Sequence, residues 1–539
     1  MNYLSFDRNE IISECQSTVF DIVVIGGGIT GAGVARDAAI RGLKVALFEK
    51  NDFASGTSST TSKMLHGGLR YLQNYEFRLV RKAALERGLH LKLAPHLTDK
   101  LNFIIPIYRW NKFSPIKMWF GVKLYDLLAY PKGLGKSRKL KVKDIIHKFP
   151  HLSSNDLIGG VFYHDVRTDD ARITLSNILS ARQYGASTLN YTKLNSWDVK
   201  DGITTCSVEN METNQVMQVK TKIIINCTGP WTESTEKLNA QIKGKSKLRL
   251  TSGIHLRLPK LLDNYSCLII NEDERPIFYM PGLNGDLIGT TDEDYQGSPD
   301  DVIPTKKEVD YLLDAVNRLM KRQYTYEDIE SIFTGVRPLV YQDTTSEGKV
   351  SRDHTIHTYD NYLITILGGK LTTYRFMAKQ AVDKAINFIQ TSKIKCSTDK
   401  IHLYGGEIDD WDAYVRLHLS RLKKLYGFNE NISMMLIKWY GSNLLDFEEV
   451  LKEVGTHPLR IEIPWLAAQV NFACRFEFAR SPIDILRRRT QIMLEKGKGI
   501  ELVERIVEIM SEELNWDLKT ANKMIQQTME YIESKASFR

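Results

Sequence analysis

The hydrophobic pattern near the start of the chain predicts a strand, a tight turn, a helix and a second strand in direct succession. Residues 21–25 form a short apolar run rich in β-branched side chains, which is typical of a buried parallel strand. Residues 32–41 predict a helix of small side chains that ends at Gly42. Residues 44–48 predict the second strand, so this segment has the β–α–β order of a parallel sheet.

Farther along the chain the pattern changes twice. Between residues 247 and 342, short strand-like stretches alternate with turns, and we interpret them as an antiparallel sheet of a substrate domain. These stretches are residues 253–258, 267–271, 276–280 and 286–290. Beyond residue 404 the pattern is that of charged amphipathic helices, which predict a helical cap domain. The predicted helices are residues 411–426, 432–440, 444–454, 464–478, 483–493 and 500–532.

Length, composition and charge agree with several soluble domains. A chain of 539 residues exceeds one ordinary core, and its 42% hydrophobic and 26% charged residues are those of a globular protein. The net charge of +8 suits a phosphorylated or carboxylated substrate or an anionic membrane surface, and does not indicate nucleic acid as a partner. No run of ~18 apolar residues occurs, so we expect any membrane contact to be peripheral.

The cysteines and histidines form no recognisable metal or disulfide framework. The six cysteines are widely scattered, and no two of them form a C-x-x-C pair. We therefore expect reduced, mostly buried thiols in a cytoplasmic compartment. His354 and His357 are an isolated pair, so we predict no metal site.

The turn after the first strand has the spacing G-x-G-x-x-G. Gly26 permits the tight turn, Gly28 lets the backbone approach a pyrophosphate, and Gly31 lets the helix pack closely on the strand. The helix N-terminus offers free N–H groups to phosphates, and Glu49 stands where a carboxylate accepts hydrogen bonds from ribose hydroxyls. The glycines alone also fit a flexible loop, but the full order of elements predicts a dinucleotide site. The motif leaves NAD and FAD open.

Further motifs follow the glycine turn in a fixed order. They are residues 66–72 (HGGLRYL), 226–231 (NCTGPW), 289–292 (GTTD), 335–339 (GVRPL) and 368–375 (GGKLTTYR). With the glycine turn, they resemble the FAD-dependent glycerol-3-phosphate dehydrogenases of the bacterial, respiratory, quinone-linked type. The resemblance covers about residues 21–375 and is looser beyond residue 401. It implies noncovalently bound FAD and an α/β fold, in which a glutathione-reductase-like FAD-binding domain with a parallel Rossmann sheet carries an antiparallel-sheet substrate domain and an α-helical C-terminal cap.

Domain boundaries follow from the pattern and the resemblance together. We predict a discontinuous FAD-binding domain from residues 15–105, 150–246 and 345–395. Residues 247–344 are the predicted substrate domain, and residues 400–539 are the predicted helical domain. Residues 106–149 stand apart as a basic, aromatic segment.

The predicted cofactor contacts are concentrated in a hydroxyl-rich loop and in the later motifs. Residues 57–62 are all Ser or Thr, which exceeds what a single helix cap or turn needs, although these residue types favour such places. Lys370 precedes a predicted helix, where a lysine and a helix N-terminus favour an anionic group. Besides the glycine turn and Glu49, the resemblance implies FAD contacts at Thr57, Ser62, Lys63, His66, Gly229, Leu371 and Thr372.

The resemblance also implies the residues that handle the substrate. Oxidation of a secondary alcohol needs a base for the hydroxyl proton and cations for the phosphate. His255 is the candidate base and Arg337 the second catalytic residue; a structural histidine and an arginine paired with a carboxylate are the alternatives. Substrate contacts are implied at Arg70, Tyr71, Arg352 and Lys370, and the sequence does not decide which cation binds the phosphate.

Residues 106–149 interleave cations with aromatic side chains. That composition is typical of an amphipathic helix on an anionic lipid surface, although a solvated basic face with inward-packed aromatics fits it too. The resemblance implies a peripheral, monotopic enzyme on the cytoplasmic face of the cell membrane that delivers electrons to a membrane quinone. A homodimer is a further possibility.

Three other functions compete with this hypothesis. The first is an oxidase on the same scaffold, which passes electrons to oxygen and makes hydrogen peroxide. The second is an amine or hydroxy-acid oxidase of the wider FAD superfamily, which does not need so many phosphate-matching cations. The third is a non-enzymatic protein in which FAD has a structural role.

Overall fold

The structure is a computed structural model that describes residues 7–240, 242, 246–282, 284–341, 353–360, 362–392, 394–460, 463–535 and 538. In these ranges the chain forms a parallel sheet flanked by helices, two further sheets, and a helical C-terminal part. None of the helices within these ranges has the length and apolar character that crossing a bilayer requires.

The predicted β–α–β segment is the centre of a six-stranded sheet. Five of its strands are parallel, and the edge strand His354–Tyr359 is antiparallel to its neighbour. In spatial order the strands are His354–Tyr359, Leu363–Gly368, Ile224–Asn226, Ile22–Ile25, Val45–Phe48 and Ser187–Leu189. The central strands are buried along their whole length, as their β-branched composition predicts. The helices of this part are Arg8–Ser17, Ile29–Ile40, Phe77–Leu93, Asp170–Gln183, Thr232–Glu236 and Tyr374–Phe388.

A smaller sheet of four strands extends the FAD-binding part. In spatial order its strands are Val19–Phe20, Val216–Thr221, Ile203–Asn210 and Thr192–Lys200. Its long strands bury every second residue, which is the pattern of a sheet with one solvated face.

The third sheet has ten strands and lies over the first. In spatial order its main path is Glu293–Asp294, Leu248–Pro259, Gly285–Gly289, Pro276–Pro281, Tyr265–Ile270, Thr98–Tyr108, Leu157–Thr168 and Met64–Leu65. Ser331–Val340 pairs with Leu248–Pro259, and Arg138–Leu140 pairs with Leu157–Thr168. The helices attached to this sheet are Pro115–Leu128, Val142–Lys148 and Lys306–Asn317.

This third sheet confirms the strands predicted between residues 247 and 342, and it is larger than predicted. Thr98–Tyr108 and Leu157–Thr168 both join it, although residues 98–105 and the whole second strand were assigned to the FAD-binding domain and residues 106–108 to the basic, aromatic segment. The first of them pairs in parallel with Tyr265–Ile270, so the sheet is mixed and mainly antiparallel. Both strands are buried on both faces over much of their length, so they lack the alternation that marks a sheet exposed on one side.

The C-terminal part is helical, as predicted, and has its own apolar core around Trp465 and Phe447. Its longer helices are Trp411–Tyr426, Glu430–Tyr440, Leu444–Val454, Ala467–Phe476, Val503–Leu514 and Leu518–Lys535. The stretch predicted as one helix over residues 500–532 is interrupted at Asn515, whose φ of +54° places it in the left-handed region that ends helices.

A buried ionic cluster joins the C-terminal part to the FAD-binding part. Asp52 accepts hydrogen bonds from Arg488 at 2.5 Å and from Arg489 at 2.6 Å, and Asp484 accepts one from Arg488 at 2.6 Å. Asp52 is fully buried, so its charge and those of the two arginines are shielded from water together. Asp52 is therefore one of the buried charges that hold the C-terminal helices in place, together with pairs such as Arg172–Glu477.

Neutralising that carboxylate should destabilise the protein strongly. Replacing Asp52→Asn leaves two buried guanidinium groups without full compensation, so we expect the free energy of unfolding to fall by about 3–5 kcal/mol. Urea denaturation of the FAD-loaded protein measures the change. Asp198→Asn, at an exposed carboxylate, is the control and should shift the midpoint little. Equal midpoints for the two variants would contradict the role given to Asp52.

Candidate active site

The glycine turn connects the first parallel strand to the helix Ile29–Ile40 with no room for side chains. A Cβ atom on Gly31 would lie 1.9 Å from the carbonyl oxygen of Gly26, and one on Gly26 would lie 2.7 Å from the carbonyl oxygen of Cys227. Gly26 also has a φ of +103°. The turn therefore requires glycine at both positions, which leaves the helix N-terminus open to a ligand.

Two polar side chains arrange the edge of this turn. Glu49 accepts hydrogen bonds from the backbone N–H groups of Gly27 at 2.7 Å and Asn51 at 2.9 Å. Burial raises the pKa of the Glu49 carboxyl, and these two hydrogen bonds partly offset the shift. Ser58 belongs to the hydroxyl-rich loop but was not among the individually predicted contacts, and it accepts a hydrogen bond from the backbone N–H of Ile29 at 2.8 Å. It thereby ties the hydroxyl-rich loop to the helix N-terminus.

A cavity of about 360 Å³ follows the turn and has the lining that a dinucleotide needs. Gly26, Gly28, Glu49, Thr57, Gly229 and Leu371, all predicted cofactor contacts, line it. The N-terminus of the helix Ile29–Ile40 and hydroxyls of the loop line it as well, and these are groups that bind a pyrophosphate. Gly31 supports the turn from behind, in the packing role predicted for it. The residues present therefore fit an FAD molecule in this cavity.

A second cavity of about 500 Å³ adjoins the first and is lined by most of the predicted substrate residues. Thr57, Thr61, Gly369, Lys370 and Leu371 line both cavities, so a molecule in the first would reach the second. From the predicted set, the second cavity is also lined by Ser62, His66, Arg70, Tyr71, His255, Arg337 and Thr372. Its lining thus includes several cations, and the remainder is largely apolar.

His255 lies on the strand Leu248–Pro259 and is almost completely buried at the edge of this second cavity. Its Nε2 atom is 2.9 Å from Ser62 Oγ, and its ring stacks on Phe333 at 4.9 Å with an angle of 11° between the planes. Burial lowers the pKa of His255 well below its ordinary value, and the positive charge of Arg337 lowers it further. The ring is therefore neutral near pH 7 and held in one orientation.

Arg337 lies on the adjacent strand, Ser331–Val340, and the GTTD motif holds it. Its guanidinium donates to Thr290 Oγ1 at 2.6 Å, to the Thr291 carbonyl oxygen at 3.1 Å and to Asp292 Oδ1 at 3.2 Å. The sequence showed this motif but assigned its residues no role. The arginine has the carboxylate partner of the structural alternative and also lines the cavity, so its catalytic role stays a prediction.

Arg70, Tyr71 and Lys370 also line the second cavity. The Lys370 ammonium nitrogen lies 3.4 Å from the centre of the Tyr71 ring. Arg70 belongs to the short 3-10 helix Leu69–Leu72, which begins after Gly68 at a φ of +80°. Over the described ranges Arg70 has no ion pair, so its guanidinium is available to an anion. Arg352, the fourth predicted substrate contact, lies outside the described residues.

Lys63 was predicted to contact the cofactor, but its side chain turns away from both cavities. Its ammonium group donates to Asp170 at 2.5 Å and lies 3.6 Å from Asp169. Burial lowers the pKa of Lys63, but the charges of the two aspartates outweigh that effect and raise it above its ordinary value. In the described structure Lys63 therefore holds the hydroxyl-rich loop against the helix Asp170–Gln183.

A second buried network supports the loop that carries Arg70. Gly67 N–H and Arg87 both donate to the Tyr125 hydroxyl at 2.8 Å, and Arg87 also donates to Asp165 at 2.8 Å. Tyr125 belongs to the helix Pro115–Leu128, so this helix and the substrate loop are directly connected. Nothing in the local sequence pattern marked these residues, because their contacts span large sequence separations.

Two family profiles together match most of the chain. The profile described as FAD dependent oxidoreductase matches residues 21–375, and the profile described as C-terminal domain of alpha-glycerophosphate oxidase matches residues 396–521. Each of the two larger parts of the fold thus has a counterpart among known proteins.

Individual relatives match almost end to end. The glycerol-3-phosphate dehydrogenase of Synechocystis sp. is 36% identical over 96% of this chain and 97% of its own length. Glycerol-3-phosphate dehydrogenase 2 of Mycobacterium bovis is 35% identical over 96% of this chain and 88% of its own length. Among solved structures, the glycerol-3-phosphate dehydrogenase of Bacillus halodurans complexed with FAD superposes with a TM-score of 0.80 at 28% identity, over 99% of each chain.

Proposed function

Because this chain belongs to the FAD-dependent glycerol-3-phosphate dehydrogenases, within the FAD dependent oxidoreductase family, we propose that it oxidises sn-glycerol 3-phosphate to dihydroxyacetone phosphate. One observation carries the proposal: the second cavity is lined by three cations, Arg70, Lys370 and Arg337, and by the neutral His255. It adjoins the first cavity, whose residues fit FAD. Cations for a phosphate and a base for an alcohol proton are what this reaction requires.

The phosphate binds between Arg70 and Lys370 in this proposal. Arg70 has no carboxylate partner within the described ranges, whereas Arg337 is held by Asp292. A guanidinium fork binds phosphate oxygens in a bidentate manner, and an ammonium adds a point charge. The carbon backbone of the substrate then lies toward His255 and Arg337, which line the same cavity.

His255 accepts the proton of the C2 hydroxyl as the hydride leaves C2. When bound, FAD supplies the acceptor for that hydride. Ser62 fixes the imidazole through its contact with Nε2, and Arg337 stabilises the negative charge that develops on the substrate oxygen. Both electrons leave with the hydride and the proton stays on His255, so the products are the ketone and the protonated imidazole.

The lowered pKa of His255 determines the pH dependence that we expect. A base with a lowered pKa stays neutral at ordinary pH and becomes protonated only in more acidic solution. The limiting rate constant for flavin reduction should therefore stay constant between about pH 7.5 and 6.5. A histidine with an ordinary pKa would be half protonated at about pH 6.5, and the rate constant would fall to about half. Anaerobic stopped-flow measurements at saturating substrate test this, and a midpoint at or above 6.5 would contradict it.

The substrate assignment is tested by steady-state turnover with an artificial electron acceptor. sn-Glycerol 3-phosphate should be oxidised. Glycerol should not, because it lacks the phosphate that Arg70 and Lys370 bind. The enantiomer, glycerol 1-phosphate, should not be oxidised either, because it presents the wrong face of C2. Turnover of glycerol at a comparable kcat/KM would overturn the proposal.

The electron acceptor in this proposal is a membrane quinone. Phe113, Met118 and Leu124, on or just before the helix Pro115–Leu128, line the apolar side of the catalytic cavity. A quinone is apolar, and this side offers it a path to the flavin. The alternative is oxygen, with hydrogen peroxide as product. Peroxide formed in air at the rate of substrate oxidation would favour the oxidase, and its absence together with fast quinone reduction would favour the dehydrogenase.

Peripheral binding to the cytoplasmic face of the membrane is part of the same proposal. The helix Pro115–Leu128 buries Val122 and Tyr125 and exposes a row of large apolar side chains on its other face. Phe120 is 62% exposed and Leu127 is 68% exposed. Lysines flank the row, which is the composition that favours anionic lipid.

Charges on the exposed face of this helix should abolish membrane binding. The double variant Phe120→Asp and Leu127→Asp introduces two carboxylates where acyl chains would lie, so we expect at least about a tenfold loss in co-sedimentation with phosphatidylglycerol vesicles. Flavin reduction by substrate should be retained, because neither side chain lines the catalytic cavity. The control is Leu417→Asp with Leu425→Asp, at exposed leucines of the C-terminal part. Equal vesicle binding by the two double variants would contradict the proposal that this helix is the membrane-binding surface.

A further inference from the structure

A third cavity, of about 1020 Å³, lies between the C-terminal helices and the two large sheets. The helix Leu518–Lys535 forms one side, and the strand Ser331–Val340 forms part of the other. Its volume is at the upper end of that of small-molecule sites in proteins. Thr57, Thr60 and Gly335 line both this cavity and the catalytic one, so only a thin wall separates them.

Arg487 lines this cavity and is 8% exposed. Its neighbours Arg488 and Arg489 pair with buried aspartates, but Arg487 does not. Across the described ranges, its guanidinium donates one long hydrogen bond, 3.4 Å, to the Ser59 carbonyl oxygen, and no carboxylate is within ion-pair contact. Its other contact is with the ring of Phe333, at 4.9 Å.

A buried guanidinium without a counterion is costly. Burial lowers the pKa of Arg487, and Tyr531, Asp170 and Asp169 offset this only in part. Both aspartates are also paired with Lys63. An anion that enters the cavity and contacts Arg487 would remove this cost. The unpaired charge of Arg487 therefore indicates that the ligand of this cavity is an anion.

The walls of the cavity indicate the rest of that ligand. Trp231, Phe333, Met493, Trp516 and Met524 line it with aromatic rings and thioethers. These side chains fit an apolar chain or ring, and polar side chains form the rest of the lining. A buried cation beside apolar side chains fits a molecule with an anionic end and an apolar body.

We propose that this interdomain cavity is a binding site for an amphiphilic anion, with its head group on Arg487 and its apolar body between the C-terminal helix and Trp231. The site is distinct from the catalytic cavity and does not rest on the substrate assigned above. Phe333 contacts Arg487 on one side and stacks on His255 on the other, so the bound head group lies one aromatic ring away from the proposed base.

Titration of the FAD-loaded protein with dodecanoate, below its micellar concentration, tests the site by calorimetry. Dodecan-1-ol has the same alkyl chain without the charge and should bind at least about tenfold more weakly, because it cannot form an ion pair with Arg487. Inorganic phosphate, which has the charge without the chain, should also bind weakly. Similar affinities for dodecanoate and dodecan-1-ol would overturn the proposal, as would no binding of dodecanoate.

Variants locate the binding. Arg487→Met should weaken dodecanoate binding at least about tenfold, whereas Arg416→Met, at an exposed arginine outside the cavity, should leave it unchanged. If Arg487→Met does not fold, quenching gives an independent test: 11-bromoundecanoate should quench the fluorescence of the wild-type protein, and Trp516→Phe should remove part of that quenching. Unaltered affinity in Arg487→Met, or unaltered quenching in Trp516→Phe, would show that the alkyl chain of the ligand binds elsewhere and would contradict the proposed site.

Discussion

Replacing His255→Asn should slow the reduction of the flavin by substrate about 10²- to 10⁴-fold, the range that a positioned general base contributes. Asparagine keeps a polar side chain of similar size at this buried position but cannot accept the hydroxyl proton. FAD content and thermal stability should change little, because the His255 side chain has one hydrogen bond, to Ser62, within the described ranges. Anaerobic stopped-flow absorbance measures the rate constant directly.

His147→Asn is the matched control, because this histidine is exposed on the helix Val142–Lys148 and lines none of the three cavities. It should reduce its flavin at the wild-type rate. If His255→Asn also did so while it retained FAD, His255 would be one of the structural histidines considered as the alternative, and another group would have to accept the proton.

Replacing Gly31→Ala should lower the affinity for FAD about 100-fold or more. Its added methyl group would lie 1.9 Å from the Gly26 carbonyl oxygen, which is backbone and cannot move aside without opening the turn. The open turn would misplace the helix N-terminus, and two lost hydrogen bonds to a charged pyrophosphate, at ~1.5–3 kcal/mol each, account for a loss of this size. Flavin retained after gel filtration and the dissociation constant of added FAD measure it.

Gly133→Ala provides the control for this substitution, because no atom lies within 4 Å of the added carbon. It should bind FAD as the wild-type protein does. Full FAD occupancy in purified Gly31→Ala would show that the turn tolerates a side chain, and the fit of FAD to the first cavity would then lose its main support.

Much of the fold could be predicted because its elements carry local signals. The helices Trp411–Tyr426 and Leu444–Val454 have the bounds that the sequence pattern predicts. Asp410 caps the start of the first, and Gly427 ends it in the left-handed conformation. The strand and glycine turn near the N-terminus carry similar signals, since a β-branched run and closely spaced glycines have few other uses.

Contacts between charged side chains that are far apart in the sequence could not be predicted in this way. Asp52 and Arg488 are 436 residues apart, and neither sequence neighbourhood indicates that the two side chains meet. Lys63 follows the hydroxyl-rich loop directly, yet its side chain pairs with Asp170 and not with the cofactor cavity. In each case the local pattern predicts an element, whereas the direction and partner of a charged side chain depend on what the tertiary structure brings near it.

The candidate site shows the same division. His255, Arg337, Arg70, Tyr71 and Lys370 lie around one cavity, although the motifs that contain them are far apart in the chain. Their roles remain predictions from the resemblance and the geometry. The residues that hold them, such as Thr290 for Arg337 and Phe333 for His255, emerged only from the structure.

The central claim is that substrate electrons pass directly to an FAD bound beside His255. Anaerobic mixing of the FAD-loaded protein with sn-glycerol 3-phosphate, with glycerol and glycerol 1-phosphate as controls, tests this through the absorbance of the oxidised flavin. We expect rapid bleaching by sn-glycerol 3-phosphate and none by the controls on that timescale. A folded, FAD-loaded protein whose flavin stayed oxidised would contradict the account and leave an FAD-binding protein with a different substrate.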